Sequence, residues 1–444
     1  MNAELISSEF LGDIPQSWRI LPLKSLFFLS KGLSITKADL KDSGLPVVSY
    51  GQIHSKANTG TFISDDMVRF VSDDFSSYTS SIAIKDGFIF ADTSEDLEGC
   101  GNNVYVDSDN LIFGGYHTIV LTPKQAGNNK YLAYLFKTDV WRSQIKKQLT
   151  EVKLFSVTQS VLSEVYIALP PQDTQSFIVD FLDTKVSQIN TAISRSKSII
   201  EKLQEYRKSV ITQAVTKGLD PNVEMKESKA PYIDFVPKNW TFKRAKFIAK
   251  SISKGSGITR DDVDKDGDIS CVRYGEIYTS YEQSFDECCS KTNLENVSSP
   301  QYFEYGDMLF TATGELISEI GKNIVYLGNE RCLAGGDIII FKHSQEPRYL
   351  NYLMNSPAIQ AQKSCGKSKL KVVHISGEEI GNLKIYLPDA TEQSAIADYL
   401  DEKCSNISEA ISRQESIIEK LEEYKKSLIY NAVTGKIDCR KEVV

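Results

Sequence analysis

The chain has 444 residues, 41% hydrophobic and 25% charged, with a formal net charge of −8. That is the composition of an ordinary soluble protein with material for two or three cores, and no apolar run reaches membrane-spanning length. The acidic total excludes a uniformly basic nucleic-acid binder but leaves room for a local basic face. The eight cysteines form no Cys-x-x-Cys pair and no histidine sits at ligand spacing, so a zinc site is not expected. The opening MNAELISSEF lacks a basic and then apolar leader, which makes a cytoplasmic chain with reduced thiols the expectation.

In chain order, residues 1–168 read as a globular domain of short strand-like runs such as LPVVSYGQI, GFIFAD, NNVYV and HTIVL. Residues 169–222 read as one long helix after Leu169-Pro170-Pro171, and the charged, turn-rich residues 223–234 as a linker. Residues 235–386 repeat the first domain, 387–438 repeat the helix, and 439–444 form a tail.

The repeat is strongest in the helices. Ile167 to Asp220 aligns without a gap on Ile385 to Asp438, with 31 of 54 positions identical. The period is too long for a solenoid, so each repeat is a domain plus a helix. The domains are more diverged. Ile14-Pro15 and Trp18 match Val236-Pro237 and Trp240, and Lys31-Gly32 with Ile35-Thr36 match Lys254-Gly255 with Ile258-Thr259. Tyr50-Gly51 matches Tyr274-Gly275, Gly114-Gly115 matches Gly335-Gly336, and Tyr131-Leu132 matches Tyr349-Leu350. Trp18 and Trp240 are expected to anchor their cores.

Leu182, Val186, Ile189, Ile193, Ile200, Leu203, Val210 and Ala214 follow steps of four and three. Leu400, Cys404, Ile407, Ile411, Ile418, Leu421, Leu428 and Ala432 do the same in the second copy. Such a stripe is a coiled-coil seam, and a helix of about 44 residues spans ~66 Å. The polar breaks Ser196 and Arg207 recur as Gln414 and Lys425. The other copy is the economical partner. Antiparallel packing is expected because the short linker resists a parallel arrangement. The predicted fold is therefore α+β: two globular α/β domains separated by two long helices in an antiparallel coiled coil, with approximate internal two-fold symmetry. Phe177, Ile199, Tyr206, Ile417 and Tyr424 lie off the seam, either as a face for partner subunits or as packing against the home domain.

Basic residues recur in the two halves. Lys363, Lys367, Lys369 and Lys371 cluster in QKSCGKSKLK, and Arg142, Lys147 and Lys153 lie in the corresponding part of the first half. Lys147 and Lys153 align with Lys363 and Lys369, a recurrence suited to phosphate contacts. The loops SYGQIH and VRYGEI offer Gln52, His54, Arg273 and Glu276 to base edges, and the turn TATGE adds Thr313.

Signs of catalysis are few. There is no phosphate loop, and Leu169-Pro170-Pro171-Gln172 only mimics an amino-methyltransferase motif. Pro388-Asp389 with Asp401-Glu402-Lys403 matches a loose nuclease pattern but falls on the helix and lacks the first acid in its copy.

LPPQDTQSFIVDFLD and LPDATEQSAIADYLD, with IIEKLQEYRKSVITQAVTKGLD and IIEKLEEYKKSLIYNAVTGKID, resemble the helical signatures of specificity subunits of type I restriction–modification systems. GDMLFTATGELISEIGKN is similar to a pattern common in that family's target-recognition domains, with Ala312 where a basic residue is frequent. The first helical copy departs from the signature by carrying Thr174 where the second has Glu392. The resemblance implies a non-catalytic DNA-recognition subunit in which each domain reads one half of a split, asymmetric site. It implies that the helices set the gap, roughly one helical turn between the methylated bases, and dock two methylation subunits. Those partners would use S-adenosylmethionine, and two motor-nuclease subunits would use ATP and magnesium, with no cofactor in this chain. The alternative is a DNA-binding or scaffold protein that works without modification partners.

Overall fold

A computed structural model describes residues 5–8, 12–56, 58–125, 127–149, 154–368 and 373–440. The chain forms two compact units. One combines residues 1–196 with 416–444, the other is 197–415, so each long helix contributes half of its length to each unit.

In the first unit, Phe88–Ala91 (FIFA) is buried on both faces at the centre of an antiparallel sheet. The strand order is Asn103–Tyr105, Phe88–Ala91, Thr118–Pro123, Phe27–Lys31. A second sheet runs Arg69–Val71, Leu45–Val48, Ile112–Gly114, Ile82–Ala83, with a parallel pair in its middle. The second unit repeats this plan with Met308–Thr311 as its buried strand and Ile269–Val272 parallel to Cys332–Ala334. Hydrogen-bond register fixes the correspondence between the halves. Val48 faces Gly114 as Val272 faces Ala334, so Gly115 corresponds to Gly335. The alignment of Gly114-Gly115 on Gly335-Gly336 is thus corrected by one residue. Trp18 and Trp240 are buried, as expected of anchors.

A closing strand leads into each long helix. Tyr166–Leu169 pairs with Arg19–Pro22, and Lys384–Leu387 pairs with Thr241–Arg244. Pro170 and Pro388 end those strands because proline cannot donate to the ladder. The buried Gln175 and Gln393 then each donate Nε2 to that proline's carbonyl, at 2.8 and 3.0 Å. The helices run Gln172–Lys217 and Ala390–Val433. Asp183 accepts from Lys130 Nζ and Tyr134 Oη, while Asp401 accepts from Arg348 Nη1 and Tyr352 Oη. The Leu-Asp pair in each helical signature therefore does two jobs. Leu182 and Leu400 are fully buried, worth about 2 kcal/mol each, and the adjacent carboxylate clamps the helix to its home domain.

The seam forms antiparallel pairs. In the first unit Ile189 and Ile193 share a core with Leu428, Ile418 and Leu421. In the second, Val210 and Ala214 share one with Leu400 and Cys404. The polar breaks bridge the helices: Lys425 Nζ donates to Asn190 Oδ1 at 3.2 Å, and Arg207 donates to Ser408 Oγ. Each helix ends on a glycine with positive φ, Gly218 at 75° and Gly435 at 72°, conformations that L side chains resist. A Cβ on Gly435 would meet Pro15 at 2.6 Å and Trp18 at 3.0 Å. The segment 223–234, read as a linker, contains Met225–Glu227, which pairs with Phe235–Pro237 as Leu5–Ser8 pairs with Gly12–Pro15.

Candidate nucleic-acid interface

The loops chosen from sequence are short capped helices, Tyr50–Ile53 and Tyr274–Thr279. Gln52 Oε1 accepts from the Ser49 amide at 3.1 Å, and Glu276 Oε2 accepts from the Arg273 amide at 2.9 Å. Glu276 is buried and also takes Arg273 Nε, Arg273 Nη2 and Ser290 Oγ on its other oxygen. His54 Nε2 lies 2.9 Å from Thr93 O, and Asn102 Nδ2 lies 3.0 Å from His54 Nδ1. Tyr278 occupies the corresponding place and donates to Thr313 O at 3.0 Å. In this state Gln52, His54 and Glu276 are spent on holding their turns, and Arg273 is half-buried against Glu276. Thr313 is half-buried on a two-residue strand paired with Val373–His374.

The basic cluster is corrected most. Lys363 is 2% exposed, donating Nζ to Gly321 O at 2.6 Å and Asn323 Oδ1 at 2.9 Å. Burial pushes its ammonium down to about 7. The reason is register. Gln144 and Gln362 each exchange two hydrogen bonds with the closing strand, through Tyr166 and Lys384, so Lys363 corresponds to Ile145, a core residue, and not to Lys147. Its chain fills that core slot and does not face solvent. Arg142 gives Nε to Phe136 O and Nη1 to Glu98 O, both at 3.0 Å, and burial lowers its pKa. Lys367 pairs with Glu379 and His374 O. Lys147 is exposed at the end of Asp139–Lys146. Lys153, Lys369 and Lys371 lie outside the described residues.

A groove that the sequence reading missed opens beside the second domain's capped helix, with a volume of about 1130 Å³. Lys254, Arg260 and Arg273 bring positive charge to it, and Asp337 stands at its edge. Lys254 and Arg260 are exposed and make no ion pair with any described residue. The corresponding Lys31 and Lys37 in the first domain are exposed and unpaired in the same sense. A turn repeated in both halves presents the second cation of each pair. The Thr36 amide donates to Asp39 Oδ2 and the Thr259 amide to Asp262 Oδ2, each at 2.7 Å. Hydrogen bonds from the Thr259 hydroxyl and amide, and from the Thr36 amide and hydroxyl, hold Asp262 and Asp39 below the ordinary carboxyl range. The signal was present in the repeated Lys-Gly-x-x-Ile-Thr followed by a base.

Residues 15–202 match the family model "Type I restriction modification DNA specificity domain". The chain is 23% identical over 399 residues to the type I restriction enzyme EcoKI specificity subunit of Escherichia coli (strain K12), covering 87% of this chain and 82% of that one. The matched region and this relative are both those of type I specificity subunits. The StySPI specificity subunit of Salmonella potsdam is 22% identical over 209 residues, 46% of this chain and 44% of that one. Two solved structures share the fold of this chain. One, from work on complex assembly and conformational transition of the type I R-M system, has a TM-score of 0.69 at 15% identity, covering 96% and 99% of the two chains. The other, the HsdS subunit from Thermoanaerobacter tengcongensis, has a TM-score of 0.52 at 16% identity, covering 96% and 98%. Among the described residues no helix is long and apolar enough to cross a membrane, and no three His, Cys, Asp or Glu are grouped to hold a metal.

Proposed function

We propose that this chain is the DNA sequence-recognition subunit of a type I restriction–modification complex, each domain reading one block of a split, asymmetric site. The observation that carries this is the contrast within the repeat. The helices repeat most of their anchoring contacts at equivalent residues, while the domains keep a scaffold and change the side chains on it. Two like helices suit two copies of one partner, and two unlike domains suit two different DNA blocks.

The face of the helices away from the seam supports partner docking. Phe177, Ile199, Tyr206, Ile417 and Tyr424 are 43–55% exposed, so packing against the home domain is not their role in this structure. In the proposal they receive two methylation subunits, to which two motor-nuclease subunits add. S-adenosylmethionine, ATP and magnesium belong to those partners, and this cytoplasmic chain contributes no catalytic group. The exposed cations Lys31, Lys37, Lys254 and Arg260, with Lys147, supply phosphate contacts. Lys363 has no part in them.

Co-expression with a methylation subunit encoded beside it, followed by sequencing of host DNA for methyladenine, tests the reading. The expected result is two short blocks separated by a fixed gap. A stable complex without methylation would favour a scaffold.

A further inference from the structure

Constant and variable positions around the groove separate by chemistry. Lys31 and Lys37 in one domain correspond to Lys254 and Arg260 in the other, so charge is kept where sequence-independent phosphate contacts belong. One exposed position between them changes completely. Strand register places His117 opposite Asp337: the Asp92 amide donates to His117 O as the Ala312 amide donates to Asp337 O. The preceding residue is Tyr116 in the first domain and Gly336 in the second, so a ring fills in one half what is open groove in the other.

The first domain spends strain to present this side chain. His117 has φ 54°, unusual for a residue with a Cβ. Its ring is 59% exposed yet held in place: Nδ1 lies 3.2 Å from Asp92 Oδ1, and the Tyr50 and Tyr116 rings sit 5.5 and 6.2 Å away, edge-on. A strained, oriented and exposed imidazole packed on aromatic rings is built to meet something.

We infer that His117 and Asp337 are base-reading side chains, one for each block of the split site. This rests on the function proposed above. A carboxylate accepts only, so in the major groove Asp337 selects a base that presents an amino group there, cytosine N4 or adenine N6, and disfavours guanine, whose edge there offers only acceptors. His117 in the same place reads a different edge, which lets one scaffold serve two unlike blocks.

The test uses the full chain with its methylation subunits and the variants His117→Asn and Asp337→Asn. Asparagine tolerates positive φ, so the first change spares the backbone. Each variant is expected to alter or relax one position in one block, a different block for each, lowering preference there about five- to a hundredfold. If a variant does not methylate, its binding is compared on duplexes with one block or the other scrambled. It should then be blind at its own block and still sensitive to the other. Either variant keeping the wild-type preference in both blocks would overturn the assignment. A wild-type complex without a split motif would sink the proposed function instead.

Discussion

At one turn the first domain carries Tyr116-His117 and the second carries Gly336-Asp337, and in both the second residue's carbonyl accepts from the amide of the corresponding strand end, Asp92 or Ala312. Across the long helices the opposite holds: Gln175 and Gln393, Asp183 and Asp401, Lys425 and Arg207 make corresponding contacts. What differs between copies of a duplicated scaffold marks what each copy faces separately. What stays the same marks what both must do alike. The comparison also shows where sameness is only apparent. Lys363 lies near basic residues in sequence, but its place in the fold belongs to Ile145.

The largest effect expected from breaking this comparison is at Lys363. Its folded-state pKa of about 7 lies below the unfolded value, so the unfolded chain binds more protons and stability rises with pH above about 7. Between pH 6 and 9 the wild type should gain about 2–3 kcal/mol relative to Lys363→Met, measured as the difference in unfolding free energy of the two proteins at each pH. Equal pH dependence would mean the ammonium is solvated.

A smaller effect, about 1 kcal/mol, is expected where the helical copies disagree. Glu392 Oε1 accepts from the Trp240 indole at 3.1 Å, whereas among the described residues no carboxylate bonds the Trp18 indole. Glu392→Thr should lower the melting temperature. Thr174→Glu should raise it by supplying the missing bond, and a drop would show that the two helix starts are not equivalent.

The smallest effects are at the constant cations. Lys31→Ala and Lys254→Ala should each weaken DNA binding without changing the methylated sequence, and each should reduce the slope of log affinity against log salt by about 1. A changed motif would move those residues from phosphate to base contact.

The helices were legible because their pattern is carried by side-chain type. Apolar steps of four and three, Leu-Pro before the first turn and Leu-Asp about three turns into the helix need no tertiary knowledge. The candidate interface was less so. Gln52 and Glu276 looked available because capping boxes and loops share the same polar residues, and only the backbone shows that their oxygens are taken. Lys363 was misplaced because charge was aligned in place of strand register, and burial of one lysine leaves no mark in a local sequence. His117 was passed over because a strained φ and a ring held by Asp92 are properties of the fold. Lys31 and Lys254 were already paired by the repeat, but that neither forms an ion pair with a described residue appears only in space.

The most direct measurement is the gap between the two recognised blocks after the helices are lengthened together. Seven residues inserted between Ser196 and Arg207, with a matching seven between Gln414 and Lys425, keep the seam in register and add about 10 Å. Two unchanged blocks separated by a gap roughly three base pairs longer are expected. An unchanged gap in a complex that still methylates would show that the helices do not set it.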